Sequence, residues 1–78
     1  MLGERVRQRR HELGLTQEQL SAATGLEQFH ISRIENGHIK DVKGETLVRL
    51  ARALRVRTDF LLGLEAVEGS ELLTAVAS

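Results

Sequence analysis

The chain has 78 residues and no cysteine, a length that allows one domain and a composition that excludes a disulfide framework and a thiolate metal site. Phe29 and Phe60 are its only aromatic residues, so the core must consist of Leu, Val, Ile and Ala, which favours an all-helical domain over a β-sheet. The net charge is zero, but residues 1–60 carry eleven bases against eight acids, whereas residues 61–78 carry three acids and no base. We therefore expect a mildly basic domain followed by an acidic tail.

Helices 1 and 2 are the first two predicted elements. Helix 1 covers about residues 2–13 and ends before Gly14, a residue type that suits a left-handed C-terminal cap. Helix 2 covers about residues 17–23 and follows Thr16, which has the spacing of a capping box with Gln19. The apolar residues expected on the buried faces of these two helices are Leu2, Val6, Leu13, Leu20 and Ala23.

Three further helices follow in the prediction. Helix 3 covers about residues 28–36 and ends before Gly37, and helix 4 covers about residues 45–54. A short helix 5 is capped by Thr58 and ends at Gly63. The apolar residues expected to face inward from helices 3 and 4 are Ile31, Ile34, Leu47, Leu50, Ala51 and Leu54.

The domain is predicted to cover residues 1–63, with residues 64–78 as an acidic C-terminal tail. Ser70 can begin a short helix over residues 70–77 with its apolar side chains on one side. Two interpretations of this segment stay open. It is either a contact between two copies of the chain, or a terminus that is disordered or packs on its own domain.

Helix 2 and helix 3 are separated by only a short turn, which contains Gly25. Two helices cross steeply through so short a turn only if one residue tolerates a positive φ, and Gly25 is that residue. Ile31 and Ile34 then fix helix 3 against the core while its other face points outward. The residues on this outward face are Gln28, Phe29, His30, Ser32 and Arg33.

The segments GLT, QEQLSAATGLEQFHISRIENG, ETLVRLARAL and TDFLLG resemble the Cro and lambda-repressor-like helix-turn-helix family, also called the XRE family, from about residue 3 to residue 63. The resemblance implies a compact five-helix domain, with the helix-turn-helix at about residues 17–36 and helix 3 in the major groove of double-stranded DNA. It implies base contacts by Gln28, Phe29, His30 and Arg33. It implies phosphate contacts by Gln17, Ser32, Asn36, Lys40 and Lys43.

The chemistry of the implied base contacts agrees with the residue types. Gln28 can bond adenine through two hydrogen bonds, and Arg33 can bond guanine in the same way. Phe29 can pack on a thymine methyl group, and His30 can donate or accept.

The resemblance also implies a structural ion pair between Arg10 and Glu35 that joins two helices. Three residues depart from the family pattern. Ser21 replaces a small alanine and needs a partner for its hydroxyl, and Arg9 replaces an apolar residue, so its stem should lie on the core and its head in water. Glu27 is expected to cap or brace the start of helix 3. The loop HIKDVKG also lacks the proline that is common in the family.

The resemblance implies a sequence-specific transcriptional regulator, namely a repressor that binds a palindromic operator as a homodimer, because one such domain covers only a half-site. The alternative is an antitoxin or a protein-interaction subunit, with a toxin or regulator as partner and with secondary DNA binding. Salt-dependent, sequence-specific binding to duplex DNA would favour the first class. A co-purifying partner with weak, non-specific DNA binding would favour the second.

No catalytic, metal or cofactor site is predicted. His11, His30 and His38 lack the spacing of metal ligands, and the glycines do not form a phosphate-binding loop. The first ten residues contain arginines where a secretory signal needs an apolar run, and no stretch approaches the roughly 18 apolar residues of a membrane span. The sequence therefore predicts a cytoplasmic protein that is not an enzyme and has no membrane partner.

Overall fold

The computed structural model describes residues 2–39 and 41–64 of the chain. These residues form five helices and the segments that connect them. The helices are α1 (Leu2–Glu12), α2 (Gln17–Thr24), α3 (Gln28–Glu35), α4 (Gly44–Leu54) and α5 (Thr58–Leu62). The predicted all-α, five-helix fold is confirmed, and the bounds of the first four helices lie within one residue of those expected. Lys40 and the predicted tail helix at residues 70–77 lie outside the described residues.

The core receives side chains from all five helices. α3 packs against α1 and α2, and α4 packs against α1, α2 and α5. The buried apolar residues, all at most 5% exposed, are Val6, Leu20, Ile31, Ile34, Leu50, Ala51, Leu54 and Leu61. Burial of each of the larger side chains in this set contributes about 1.5–3 kcal/mol to the stability of the fold. These contacts therefore hold α3 in a fixed orientation on the other helices.

The start and end of α2 follow the predicted chemistry. The backbone N–H of Gln19 donates to Thr16 Oγ1 at 3.0 Å, and the backbone N–H of Thr16 donates to Gln19 Oε1 at 2.8 Å, which is the expected capping box. Gly25 ends the helix with φ 78°, a left-handed conformation that is unfavourable for residues with a Cβ. The hydroxyl of Ser21 donates to the carbonyl oxygen of Leu26, so the polar replacement in this turn is satisfied.

The prediction that α2 buries Ala23 is wrong, because Ala23 is exposed and Thr24 is buried instead. Positions 20 and 24 are four apart, so Thr24 shares the inward face of α2 with Leu20. The Thr24 hydroxyl donates to the carbonyl oxygen of Leu20 at 2.8 Å and accepts from the backbone N–H of Leu26 at 3.1 Å. These bonds remove the cost of burying a hydroxyl group.

Two further sequence expectations are corrected at the far end of the domain. Thr58 is the first residue of α5 and not its cap, since Arg57 occupies the capping position without a side-chain hydrogen bond. The head of Arg9 lies only partly in water, because its Nε donates to the carbonyl oxygen of Leu54 at 2.9 Å while its Nη1 pairs with Glu12 at the surface. That carbonyl belongs to the last turn of α4, where no intrahelical donor is available.

Gly3 brings the start of α1 against the end of α3, a contact that the sequence analysis missed. A Cβ at Gly3 would collide with the carbonyl oxygen of Ile34 and lie 2.7 Å from that of Glu35. Both atoms are backbone atoms at the end of the outward-facing helix. The absence of a side chain at Gly3 therefore sets how closely α1 supports α3.

Replacing Gly3 with alanine is expected to lower the free energy of unfolding by roughly 1–2 kcal/mol, because the two helices must separate to admit the Cβ. Urea unfolding measures this change. Gly44→Ala is the matched control, since nothing lies within 4 Å of the position of its Cβ. Equal stabilities of the two variants would contradict the close packing of α1 on α3.

Candidate nucleic-acid interface

The outward face of α3 carries the residues that the sequence analysis singled out. Gln28, Phe29 and Arg33 are exposed, and Ser32 between them is half-buried. With about 3.6 residues per turn, these four positions share one side of the helix. His30 is half-buried and lies at the edge of this side, next to the buried positions of Ile31 and Ile34. The arrangement exposes polar and aromatic groups on a helix whose opposite side is fixed by the core.

Phe29 and Arg33 contact each other on this face. The guanidinium carbon of Arg33 lies 5.6 Å from the centroid of the Phe29 ring, within the range of a cation–π contact. The ring is 69% exposed. Within residues 2–39 and 41–64, the Arg33 guanidinium has no hydrogen-bond or ion-pair partner. Its donors are therefore available to a ligand outside the chain.

Glu35 joins the end of α3 to α1 and α2 from inside the protein. Its side chain is completely buried, and Arg10 binds both carboxylate oxygens, with Nε 2.7 Å from Oε2 and Nη2 3.0 Å from Oε1. Arg10 Nη1 also donates to the carbonyl oxygen of Leu15 at 2.9 Å. Gln17 Nε2 donates to Glu35 Oε1 at 3.1 Å. The residues expected to form a structural pair thus lie together, and Gln17 is held by the same carboxylate.

The electrostatics of this cluster keep both partners charged. Burial raises the pKa of the Glu35 carboxyl, but hydrogen bonds from Arg10 and Gln17, with the charges of Arg10 and Arg7, outweigh burial and hold the pKa below its ordinary value. The hydrogen bond to Glu35 raises the pKa of Arg10, against the opposing effect of burial. The ion pair therefore persists at neutral pH.

The lowered pKa of Glu35 makes the stability of the domain sensitive to acid. A carboxyl with a depressed folded-state pKa contributes stability that is fully present above the unfolded value, about 4.3, and is lost as the pH falls through the folded pKa. We expect urea unfolding to show this loss as the pH falls below about 4.3. Glu35→Gln should weaken the acid dependence, whereas the exposed control Glu18→Gln should keep it. Parallel pH profiles of the two variants would rule out this role of Glu35.

Arg7 lies beside the predicted site and was missed in the sequence analysis. Its Nη2 donates to Asn36 Oδ1 at 2.7 Å and to the carbonyl oxygen of Glu35 at 3.4 Å. Asn36 Nδ2 donates in turn to Ser32 Oγ at 3.4 Å. The available signal was the spacing of Gly3, Arg7 and Arg10, which places all three on one side of α1. Arg7 therefore adds a partly exposed positive charge beside two residues expected to contact phosphate.

Two further residues that are predicted to contact phosphate lie at helix starts. Gln17 is the first residue of α2, and Lys43 is the exposed capping residue of α4 without a side-chain capping bond. Glu27 occupies the corresponding capping position before α3, as expected, but its side chain makes no capping hydrogen bond, so only its charge can brace the helix start. The backbone before α3 already has the extended conformation of a capping residue, and the carboxylate stays exposed.

A model of the helix-turn-helix family matches residues 6–61, which include all of α2, α3 and α4. The chain belongs to the helix-turn-helix family of DNA-binding transcription regulators. The resemblance to Cro and lambda-repressor-like (XRE) domains is thereby confirmed, as is the expectation of a DNA-binding regulator and not an enzyme.

Several solved structures share this fold. SinR, the master regulator for biofilm formation, has been solved in complex with DNA and is 27% identical, with a TM-score of 0.77 over 80% of this chain and 98% of that one. SinR has also been solved in a complex with the SinI protein. The P22 c2 repressor, in complex with a synthetic operator, is 34% identical, with a TM-score of 0.73 over 78% of this chain and 91% of that one.

The restriction-modification controller protein C.AhdI from Aeromonas hydrophila is similar as well. It is 32% identical, with a TM-score of 0.72 over 77% of this chain and 89% of that one. The comparison with curated proteins returned no match. Among the described residues, no helix has the length and apolar character needed to cross a membrane.

Proposed function

We propose that this helix-turn-helix protein is a transcriptional repressor that binds a palindromic DNA operator as a homodimer. The observation that carries the proposal is the outward face of α3, where exposed Gln28, Phe29 and Arg33 stand opposite a side fixed by buried core residues. A helix supported in this way can enter the major groove without losing its own packing. The likeness to the P22 c2 repressor, solved on an operator, supports the same function.

The base contacts in this proposal follow from donor and acceptor chemistry. Arg33 donates two hydrogen bonds to N7 and O6 of guanine, and Gln28 bonds adenine through its amide. Phe29 packs on a thymine methyl group, and His30 at the edge of the face donates to or accepts from a neighbouring base. The free donors of Arg33 and the exposure of Phe29 support these roles.

The residues proposed to contact phosphate belong to α2, to α3 and to the segment between α3 and α4. Gln17 lies at the start of α2, where backbone N–H groups and the helix dipole favour an anion. Ser32 and Asn36 follow on α3 and just after it, and Lys40 and Lys43 belong to the loop before α4. The net charge of +3 over residues 1–60, from eleven bases and eight acids, attracts the DNA backbone. A regulator of this kind acts where the DNA is, and we place it in the cytoplasm.

Selection of bound sequences from a random duplex library tests this function. We expect one enriched sequence that reads as an inverted repeat, because a two-fold symmetric dimer presents the same helix twice. Affinity for the enriched duplex should fall steeply with salt concentration while its advantage over random DNA persists. A library without any enriched sequence would contradict the proposal.

A protein partner is a second candidate function for this fold. SinR, which shares the fold, forms a complex with the SinI protein, and this observation favours keeping an antitoxin or protein-interaction subunit as the alternative. In that case DNA binding would be secondary and show little preference for sequence. The selection experiment therefore separates the two functions, because only the repressor yields a strong enriched operator.

A further inference from the structure

The geometry of Phe29 and Arg33 makes the two side chains one pair and not two separate contact residues. The residues are four positions apart on α3, so their side chains lie one above the other on the same side of the helix. The guanidinium lies 5.6 Å from the ring centroid, and the ring is the most exposed of the large hydrophobic side chains in the described residues. An apolar surface and a free set of donors are thus presented side by side.

The contact also restricts where the guanidinium lies. Within the described residues Arg33 has no carboxylate or carbonyl partner to orient it, so the Phe29 ring is the group that fixes its position. A side chain held in place before binding loses less conformational freedom when it bonds a base. Phe29 is therefore a positioning residue for Arg33 as well as a contact surface.

From this geometry, and on the basis of the function proposed above, we propose that Phe29 and Arg33 act as one unit that recognises a two-base step, in which a 5-methylpyrimidine stands next to a guanine. Thymine and 5-methylcytosine both carry a methyl group at C5 in the major groove, and guanine presents N7 and O6 there. Phe29 contacts the methyl group while Arg33 bonds the guanine. The ligand class is thus a methylated pyrimidine–guanine step and not thymine alone.

The spacing of the pair agrees with neighbouring bases. Consecutive bases on one strand are about 3.4 Å apart, and bases two steps apart are separated by about 6.8 Å. The 5.6 Å between the ring centroid and the guanidinium carbon lies between these two distances, so the pair spans adjacent bases when the two groups are also offset sideways. It falls short of the two-step distance, so we take the pair to span one step.

Binding of the full chain to duplexes derived from its selected operator tests this proposal. Two comparisons change only the methyl group: thymine against uracil opposite adenine, and 5-methylcytosine against cytosine opposite guanine. In each comparison we expect the methylated duplex to bind about four-fold more tightly, which is the effect of burying one methyl group. Replacing the adjacent guanine should weaken binding further.

Two variants at one position separate the roles of the ring. We call the affinity for a methylated duplex divided by that for its unmethylated counterpart the methyl ratio. Phe29→Ala should bring both methyl ratios to about one and also weaken the preference for the adjacent guanine, because Arg33 loses its support. Phe29→Leu keeps an apolar contact but has no aromatic face, so it should retain the methyl ratios and weaken the guanine preference. Phe29 lies outside the core, and circular dichroism should show unchanged helix content in both variants.

The outcomes distinguish this proposal from the function on which it rests. If no operator is enriched, both fail. If an operator is enriched but its methyl ratios are about one, or it contains no 5-methylpyrimidine–guanine step, the paired recognition is wrong while the repressor function stands. Methyl ratios that survive in Phe29→Ala would assign the methyl contact to another residue and overturn the role of Phe29.

Discussion

Replacing Glu35 with alanine is expected to lower the free energy of unfolding by about 3–5 kcal/mol, the largest effect of any single change considered for this domain. Arg10 is only 8% exposed, and without Glu35 its guanidinium would remain inside the protein without a counter-charge. Gln17 would also lose its acceptor. Since small domains are stable by only about 5–15 kcal/mol in total, urea unfolding should show a large shift of the midpoint.

A double replacement provides the control for this prediction. Arg10→Met combined with Glu35→Leu removes both charges and leaves apolar groups of similar length, an exchange that commonly preserves or raises stability. We therefore expect the double variant to regain most of the stability that Glu35→Ala loses. A loss below about 1 kcal/mol in Glu35→Ala would mean that the pair behaves like an exposed ion pair, contrary to its burial.

Replacing Arg33 with alanine is expected to weaken binding to the selected operator by about 1–3 kcal/mol and to relax the preference at one base position in each half-site. The fold should persist, because Arg33 is exposed and, within residues 2–39 and 41–64, its guanidinium interacts with the Phe29 ring and with no hydrogen-bond or ion-pair partner. Titration of the operator and of its single-base variants measures both effects. Binding to random DNA should change much less.

Arg52→Ala is the matched control for Arg33→Ala. Arg52 is exposed on the last turn of α4, a helix that does not pack closely against α3, so its replacement removes the same charge from another part of the surface. We expect a small, uniform loss of affinity across all duplexes. If the profiles of Arg33→Ala and Arg52→Ala over single-base variants coincide, Arg33 does not read a base.

The features predicted well from the sequence are those determined by neighbouring residues. The capping box depends on Thr16 and Gln19, three positions apart, and the left-handed turn depends on the lack of a Cβ at Gly25. The inward face of α3 follows from the spacing of Ile31 and Ile34. For such features the local pattern and the tertiary structure agree.

The features that were missed depend on residues far apart in the chain. Arg7 bonds Asn36 across 29 positions, and Arg9 bonds the carbonyl oxygen of Leu54 across 45. The sequence places both of these arginines on one helix but does not show which helix ends their side chains contact. Gly3 is similar, because its role is visible only when α3 lies against it. Thr24 is an exception, because its partners are near in the chain and it was overlooked in favour of the apolar residue beside it, Ala23.

These long-range contacts connect the buried side of α3 to its outward face. Glu35 holds Arg10 and Gln17 from inside, and Arg7 bonds Asn36 at the end of the same helix. The position of a proposed phosphate contact, Gln17, is thereby tied to the helix proposed to read bases. Disruption of the cluster should therefore impair DNA binding even where the fold survives.

Methylation interference on the selected operator is the most direct test that α3 lies in the major groove. We predict that methylation of guanine N7, in the major groove, blocks binding at two groups of bases about 34 Å apart, and that Arg33→Ala removes the interference at one guanine in each group. Methylation of adenine N3, in the minor groove, should have little effect there. Interference confined to the minor groove, or to a single isolated half-site, would contradict a dimer that reads the major groove through α3.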